Sequence, residues 1–282
     1  IYGYNKIDSP KKISFTPVKL SAEDQDALEN FWARLLQSYG FHEVMNNSLT
    51  AAKYVSENPV KLLNPLSSDL AFMRTSLLEG MLENAAYNIN RKNPDIKFFE
   101  LGKIYHKTEE YLERKQLAVL VSGRDVAENW LVPKSTTNFS HLKGYVEVLL
   151  GKLGLSLTEK AVEDFRFSDA MVFEYEGKIV ARIGKVSTSL MKEFDIDQEC
   201  FYAEIELETA QELRSAKALK FVDIPKFNKI RRDLALLLDK NISYSELYEA
   251  AKKNKSRYLK AINLFDVYEG KNLPEGKKSY AL

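Results

Sequence analysis

The order of helical and strand-like segments is the feature that most constrains the fold of this 282-residue chain. Amphipathic helical stretches are separated by strand-like runs that come in pairs, such as IKFFELGKIY with QLAVLVSG, or MVFEYEGKIVARIG, which predicts a hairpin turning at Glu176 and Gly177. A doubly wound parallel sheet would instead alternate single strands with helices. The order therefore predicts an α+β fold, with an antiparallel sheet flanked by helices.

The clearest helix is predicted over residues 21–40. Ser21 is placed to cap its first turn, and Gly40 supplies the C-terminal stop. The apolar residues that recur at the helical period are Leu28, Phe31, Trp32, Leu35, Leu36 and Tyr39. So wide an aromatic face has to be buried. The core of the same chain is one partner for it, and a subunit interface is the other.

Three further helices and several strands complete the predicted body. One helix begins near Leu77 and ends before Asn93-Pro94, because a residue preceding proline is pushed out of the helical region. The others lie across HLKGYVEVLLGKLG and near STSLMKEF, followed by the strand CFYAEIELE. The stretch NPVKLLNPLSSDLAFMRTS is predicted to be a polar connection, and HKTEEYLERK a charged one.

A second pattern follows a charged, proline-crossed segment. The runs RRDLALLLD, SYSELYEAAKK, YLKAINLFDVYEG and KKSYAL predict strand, helix, strand and strand. This β-α-β-β order is the first part of a ferredoxin-like unit, which needs a further helix and strand. The prediction is therefore a partial, truncated ferredoxin-like domain.

Composition limits the class of protein. From residue 211 onward there are 16 Lys and Arg residues against 9 Asp and Glu, while the whole chain carries a net charge of only +1. A basic segment on an acidic body fits a contact with a polyanion, although a solvated basic face explains the same composition. A single cysteine excludes an internal disulfide and favours a cytoplasmic location. The chain does not begin with Met, so we expect it to be part of a longer protein.

The usual catalytic patterns are missing from the sequence. His42, His106 and His141 are far apart and form no H-E-x-x-H motif. No G-x-G occurs, and the lone Cys200 has no partner motif that would make it a nucleophile. We therefore predict no catalytic, cofactor-binding or metal-ligating residue in this chain.

Three segments read in order resemble class II aminoacyl-tRNA synthetases. The helix ending at Gly40-Phe41, with Glu43-Val44 after it, resembles the first motif of that family, which forms its dimer interface. The stretch FMRTSL resembles the segment that leads into the second motif, and IKFFELGKIY resembles the second motif's strand. Catalytic members continue with an arginine that grips the α-phosphate of ATP, but here the next residue is His106. A guanidinium is always charged and can bind a phosphate through two parallel hydrogen bonds, whereas a histidine side chain is mostly neutral at pH 7 and cannot. The family's third motif is also absent.

A class II core without its ATP motifs resembles the β subunits of bacterial phenylalanyl-tRNA synthetases. NPLSSDLAFMRTSLLEGMLENAAYNINRK is similar to the core of that family, and RRDLALLLDKN with LFDVYEGKNLPEGKKS is similar to its anticodon-binding domain. The predicted organisation is as follows: 1–20, tail of a preceding domain; 21–208, non-catalytic synthetase-like core; 209–224, linker; 225–282, truncated ferredoxin-fold anticodon-binding domain.

The resemblance implies partners and contact residues. Such a subunit assembles with a catalytic α subunit into an α2β2 heterotetramer, in which ATP and Mg²⁺ bind to α, and it contacts tRNA(Phe). The residues expected at the α interface are Phe31, Trp32, Leu35 and Tyr39. Those expected to contact tRNA are Lys226, Lys229, Arg231, Arg232 and Tyr268. Phe265 and Tyr268 are three residues apart on one strand, so alternation sends Phe265 into the core and Tyr268 outward.

Two other readings remain open from the sequence. One is a self-sufficient class II ligase, against which His106 and the missing third motif count. The other is a stand-alone RNA-binding or interaction module with a synthetase-like fold, because a fold does not by itself determine function.

Overall fold

The computed structural model describes residues 12, 14, 25–132, 135–154, 157–215, 221, 226–254, 258–270 and 273–282. The chain divides into two compact units, residues 1–219 and 220–282, and each is described by itself. Apart from Lys12 and Ser14, the predicted tail at 1–20 lies outside the described residues, as does the proposed cap Ser21.

Twelve strands and six α-helices are present in these described ranges. The helices are α1 (Gln25–Ser38), α2 (Leu78–Ile89), α3 (Phe139–Gly151), α4 (Thr188–Glu193), α5 (Leu207–Ser215) and α6 (Tyr244–Lys253). The strands are β1 (His42–Glu43), β2 (Leu49–Thr50), β3 (Phe72–Met73), β4 (Ile96–Lys107), β5 (Tyr111–Ser122), β6 (Thr158–Val162), β7 (Phe167–Tyr175), β8 (Lys178–Val186), β9 (Cys200–Glu206), β10 (Ala235–Asp239), β11 (Asp266–Tyr268) and β12 (Lys277–Ala281).

The first unit is built on a seven-stranded sheet in the order β1-β4-β5-β9-β8-β7-β6. Only β1 pairs with its neighbour in parallel, with His42 opposite Phe98; the other pairings are antiparallel. The predicted α+β class with an antiparallel sheet is therefore confirmed.

Strand β5 lies at the centre of the hydrophobic core. Its run Leu117–Val121 is completely buried, since helices cover both faces of the sheet. Helices α1, α3 and α5 pack on the face that carries Leu117 and Val119, and α2 and α4 pack on the face that carries Leu120. A strand buried on both faces reads as a continuous apolar run, as QLAVLVSG does.

Helix α1 buries one side of its aromatic face in that core. Leu28, Trp32 and Leu36 are buried, and the helix stops before Gly40, whose φ of +83° is favourable for glycine. The predicted helices α2, α3 and α4 are also present. The predicted turn at Glu176 and Gly177 is confirmed by their positive φ angles of 48° and 84°.

The charged stretch HKTEEYLERK is not the loop that the sequence predicted. Strands β4 and β5 extend through most of it, leaving only 108–110 as the turn. This end of the β4–β5 hairpin is exposed to solvent, so charged side chains are compatible with a strand there. Lys103 on β4 and Glu113 on β5 form an ion pair across the two strands.

Two predicted connections also contain regular structure. The polar stretch NPVKLLNPLSSDLAFMRTS contributes β3, which pairs with β2. The linker expected from residue 209 begins as helix instead, because α5 runs to Ser215 and buries Leu207 and Ala210 against the sheet.

The second unit has a three-stranded sheet in the order β10-β12-β11. Along the chain, α6 follows β10 and precedes β11. The predicted β-α-β-β order is confirmed. Tyr280 and Lys278 are buried on one face of β12, and the intervening Ser279 lies opposite Leu237 and Tyr268 on the other face. None of the described helices is long and apolar enough to cross a membrane.

Candidate functional site

His106 stands near the end of β4, where the resemblance places the ATP-gripping arginine. It lies opposite Leu112 on β5 and, by alternation, faces the same side of the sheet as Gly102 and Ile104. Its Nδ1 is 3.4 Å from the carbonyl oxygen of Glu57, and the neighbouring Lys107 N–H donates to the Asn58 carbonyl at 2.8 Å. The end of this strand therefore contacts the 57–58 segment of the same chain.

The arginine of the FMRTSL stretch is held in a buried ion pair with a carboxylate of β4, the strand that also carries His106. Arg74 Nη1 lies 2.6 Å from Glu100 Oε1, and their side chains are 9% and 2% exposed. Arg74 Nε donates to the Lys103 carbonyl at 2.9 Å, and the Asn46 side chain donates to the other Glu100 oxygen at 2.7 Å. These bonds join the segment after α1, the segment before α2 and strand β4.

Gly102 makes this arrangement possible. A Cβ at this position would overlap the Arg74 guanidinium and come within 2.8 Å of Leu77 Cδ2. The glycine of the ELGK sequence therefore serves the close approach of Arg74 and α2 to the sheet, and not a phosphate-binding turn.

A second group of charges, partly to almost wholly buried, lies on the same face of the sheet. Arg166 Nη2 binds Asp164 Oδ2 and Glu204 Oε1, both at 2.9 Å, and Arg182 Nη1 binds Asp164 Oδ2 at 3.0 Å. Burial acts to raise the pKa of Asp164, but the hydrogen bonds from Arg166 outweigh it and the pKa is lowered. Two arginines are thus matched by two carboxylates, so the cluster offers no unpaired guanidinium to a phosphate.

The cavity beside Arg74 is small. It has a volume of about 60 Å³, and its lining includes Asn46, Tyr54, Ser76 and Glu79. Ligand sites of nucleotide size enclose roughly 300 Å³ or more, so this space suits several water molecules. Burial raises the pKa of Glu79 at its wall.

Metal and thiol chemistry find no support in the parts of the chain that the structure describes. No group of three or more His, Cys, Asp or Glu side chains is placed there to hold a metal ion. Cys200 is buried in β9, and burial raises the pKa of its thiol to about 11. His141 closes a capping box at the start of α3 with Asn138.

The four residues expected at a subunit interface have different environments. Phe31 and Tyr39 are 45% and 44% exposed, and Leu35 is partly buried against the core. Trp32 is wholly buried. Its inclusion in the interface set is corrected, because a side chain with no accessible surface cannot contact a partner.

The residues expected to contact tRNA lie in the second unit. We call residues 226–232 the basic entry segment; Lys226, Lys229, Arg231 and Arg232 are all exposed there. Within the described part of the unit, Lys226, Lys229 and Arg232 have no ionic partner, whereas Arg231 Nε binds Asp233 Oδ1 at 3.0 Å. The Arg231 guanidinium also lies 5.1 Å from the centre of the Phe265 ring.

Two aromatic residues lie at the ends of β11, Phe265 just before it and Tyr268 as its last residue. Tyr268 is 43% exposed and stands in the row of Leu237 and Ser279, and its ring lies over Gly270, where a Cβ would overlap it. Phe265 is 47% exposed, so the prediction that it packs in the core is wrong. It lies just outside the strand, beneath Arg231, where burial is incomplete.

Sequence reasoning missed the cluster around Arg166. Asp164 and Arg166 are two residues apart in the EDFRFSD stretch, but Arg182 and Glu204 come from strands β8 and β9, and no local pattern joins them. The alternation of charges in the stretch EDFRFSD was the one available signal.

Two family descriptions match the chain. "Phenylalanyl tRNA synthetase beta chain CLM domain" matches residues 10–207, and "Ferredoxin-fold anticodon binding domain" matches residues 225–282. In solved structures, the fold is similar to a pyrrolysyl-tRNA synthetase from Desulfitobacterium hafniense, with a TM-score of 0.55 and 15% identity over 68% of this chain and 70% of that one. At that identity the likeness concerns the fold alone.

Three curated relatives share the same protein name. Proteins named "Phenylalanine--tRNA ligase beta subunit" from Bacteroides thetaiotaomicron, Bacteroides fragilis and Thermotoga maritima are 42%, 41% and 30% identical to the chain. Each alignment covers all of this chain, which spans only 36–37% of the length of those relatives. A domain match over most of the chain and this identity together show that the chain belongs to the phenylalanyl-tRNA synthetase β-subunit family.

Proposed function

We propose that the protein containing this chain is the β subunit of a phenylalanine–tRNA ligase. In this proposal a catalytic α subunit binds ATP, Mg²⁺ and phenylalanine, and α and β assemble as an α2β2 heterotetramer in the cytoplasm. The chain itself contributes a non-catalytic scaffold for α and a contact with tRNA(Phe). The observation that carries the proposal is the match of the whole of this chain to part of the β-subunit relatives, with both domains in order.

The geometry of the first unit supports a non-catalytic role. By the resemblance, His106 stands at the position of the ATP-gripping arginine, and Arg74, Arg166 and Arg182 are each paired with a carboxylate. Adenylyl transfer depends on positive charge that is positioned and free to meet the phosphates. A scaffold needs no such charge.

Co-expression tests the proposal. The full-length β protein is expressed with the α subunit of the same organism, and the purified complex is assayed for attachment of phenylalanine to tRNA(Phe). We expect charging by the complex and no phenylalanine-dependent ATP activation by β alone. Activation by β alone would overturn the scaffold role. A β protein that binds RNA but neither purifies with α nor supports charging would favour the stand-alone RNA-binding module.

The basic entry segment and Tyr268 are proposed as the tRNA contact. Exposed cations bind phosphates, and an exposed aromatic ring on a sheet stacks on an unpaired base. Lys229→Ala and Arg232→Ala in the full-length protein should each weaken tRNA binding and lower the slope of log K against log salt by about 0.7–0.9. Lys253→Ala is the control, since it removes an exposed charge from α6. Slopes that equal the parent's would contradict the assignment.

A further inference from the structure

Arg231 differs in its surroundings from the other cations of the basic entry segment. Its guanidinium lies 5.1 Å from the centre of the Phe265 ring, which is within the range of a cation–π contact. Its Nε also donates a hydrogen bond to Asp233 Oδ1 at 3.0 Å. The Arg231 side chain is 74% exposed and Phe265 is 47% exposed. The guanidinium is therefore held by a carboxylate and a ring, while much of its surface stays open to solvent.

The carboxylate partner makes Arg231 a poor ligand for a phosphate. A cation strengthens binding to nucleic acid because it releases the counterions of the phosphates. The Asp233 side chain is 65% exposed, so it would approach the phosphates together with Arg231. The pair adds no net charge to the contact. Lys229 and Arg232, which have no ionic partner in the described part of the unit, each add a full positive charge.

The planar shape of the guanidinium gives the pair a different use. A guanidinium stacks on aromatic faces and on unpaired bases, and every base presents such a face. Asp233 and Phe265 already restrict the Arg231 side chain, so less of its freedom is lost when a base stacks on it. The arrangement suits a nucleobase better than a phosphate.

Lys252 on α6 shows which part of this arrangement matters. It too has a carboxylate partner, Glu249 Oε1 at 3.5 Å, and its ammonium lies 5.9 Å from the centre of the Tyr248 ring. An ammonium is a compact point charge and has no plane on which a base can stack. The two sites therefore share a paired charge and a ring, and the planar group distinguishes Arg231.

We propose that Arg231, supported by Phe265, binds an unpaired base of tRNA(Phe) by stacking, while the other cations of the basic entry segment bind phosphates. This inference rests on the proposed function and deepens its tRNA contact. The stack is separate from the contact proposed for Tyr268, whose ring lies over Gly270.

Variants that conserve net charge test the stack in full-length β assembled with α. Arg231→Lys keeps the charge and loses the plane, and Arg231→Ala/Asp233→Ala removes both charges together. The dissociation constant for tRNA(Phe) is measured at several salt concentrations. Both variants should weaken binding about tenfold, while the slope of log K against log salt stays equal to the parent's. Lys252→Ala is the matched control and should leave the dissociation constant within about twofold of the parent's.

Three results would overturn the inference while leaving the proposed function intact. The first is parent-like binding by Arg231→Lys, because a lysine can replace an arginine at a phosphate but not under a base. The second is parent-like binding by the double variant. The third is a slope that the double variant lowers as much as Lys229→Ala does, which would indicate a phosphate contact. A parent complex that does not bind tRNA(Phe) would instead reject the tRNA contact of the proposed function.

Discussion

Arg74 and Arg231 show how differently the two units use the same side chain. Arg74 is 9% exposed and is held by Glu100, which is 2% exposed, beneath the N-terminal end of α2. Arg231 is 74% exposed beside Asp233, which is 65% exposed. Loss of one partner of a buried ion pair strongly lowers the free energy of unfolding, because the other charge stays buried without a partner. An exposed ion pair contributes little to that free energy. The Arg74 pair therefore helps to hold the fold of the first unit, whereas the Arg231 pair is exposed to solvent.

Removal of Arg74 should have the largest effect on stability. Arg74→Leu leaves Glu100 buried with only the Asn46 amide as a partner, and the expected loss is about 3–5 kcal/mol of the free energy of unfolding. Urea denaturation of the chain, followed by circular dichroism, measures it. The double variant Arg74→Leu/Glu100→Leu removes the unpaired charge and should regain part of the loss. A loss for the single variant no larger than that of an exposed pair would break the comparison.

Gly102→Ala should have the next largest effect. The added methyl group meets the Arg74 guanidinium and the Leu77 side chain, and overpacking of this kind costs about 1–3 kcal/mol. The same denaturation experiment measures the loss. Gly144→Ala is a matched control in α3, where a Cβ has nothing within 4 Å. A gain in helix propensity should make that control neutral or slightly stabilising.

Glu79→Gln should change stability in a pH-dependent way and by a smaller amount. Because the pKa of Glu79 is raised in the folded chain, the folded state keeps a proton that the unfolded state releases. Stability contributed by this group therefore falls as pH rises from the ordinary carboxyl pKa, about 4, through the raised one. Glutamine does not titrate, so the variant should be more stable than the parent at neutral pH. Unfolding curves at several pH values test this, and the difference should disappear below about pH 4.

Arg231→Ala should have the smallest effect on folding. The pair with Asp233 is exposed and screened, so the unfolding midpoint is expected to stay within the error of the measurement. Binding of tRNA by the full-length protein should nevertheless weaken. A clear drop in the midpoint would mean that Arg231 supports the fold through the Phe265 ring, and the contrast with Arg74 would then fail.

Local patterns in the sequence predicted the elements of the fold well. The helical period identified α1 to α4, and the buried run of β5 stood out as an apolar stretch. Alternation placed Phe265 and Tyr268 on opposite sides of the second sheet but could not give their burial. Phe265 precedes the strand and is 47% exposed, although the Arg231 guanidinium lies over its ring.

Long-range pairings were beyond the reach of the sequence. Glu100 is 26 residues from Arg74, and Glu204 is 38 residues from Arg166. Nothing in either local stretch shows which carboxylate the folded sheet will bring to which arginine. Similarly, the polar appearance of the 58–76 stretch concealed a hairpin, since its hydrogen bonds are made by backbone groups and not by particular side chains.

The complete burial of the Leu117–Val121 run of β5 has a consequence for the motions of the chain. Its central residues pair with β4 on one side and with β9 on the other. Detachment of a single covering helix would therefore leave these backbone hydrogen bonds in place. The amides of this run should exchange with deuterium only through global unfolding of the first unit, and so report its full free energy. The amides of α6, which buries none of its described side chains, should exchange through local opening on a much shorter timescale. An exchange map would then separate the slow amides of β5 from the fast amides of α6 within one chain.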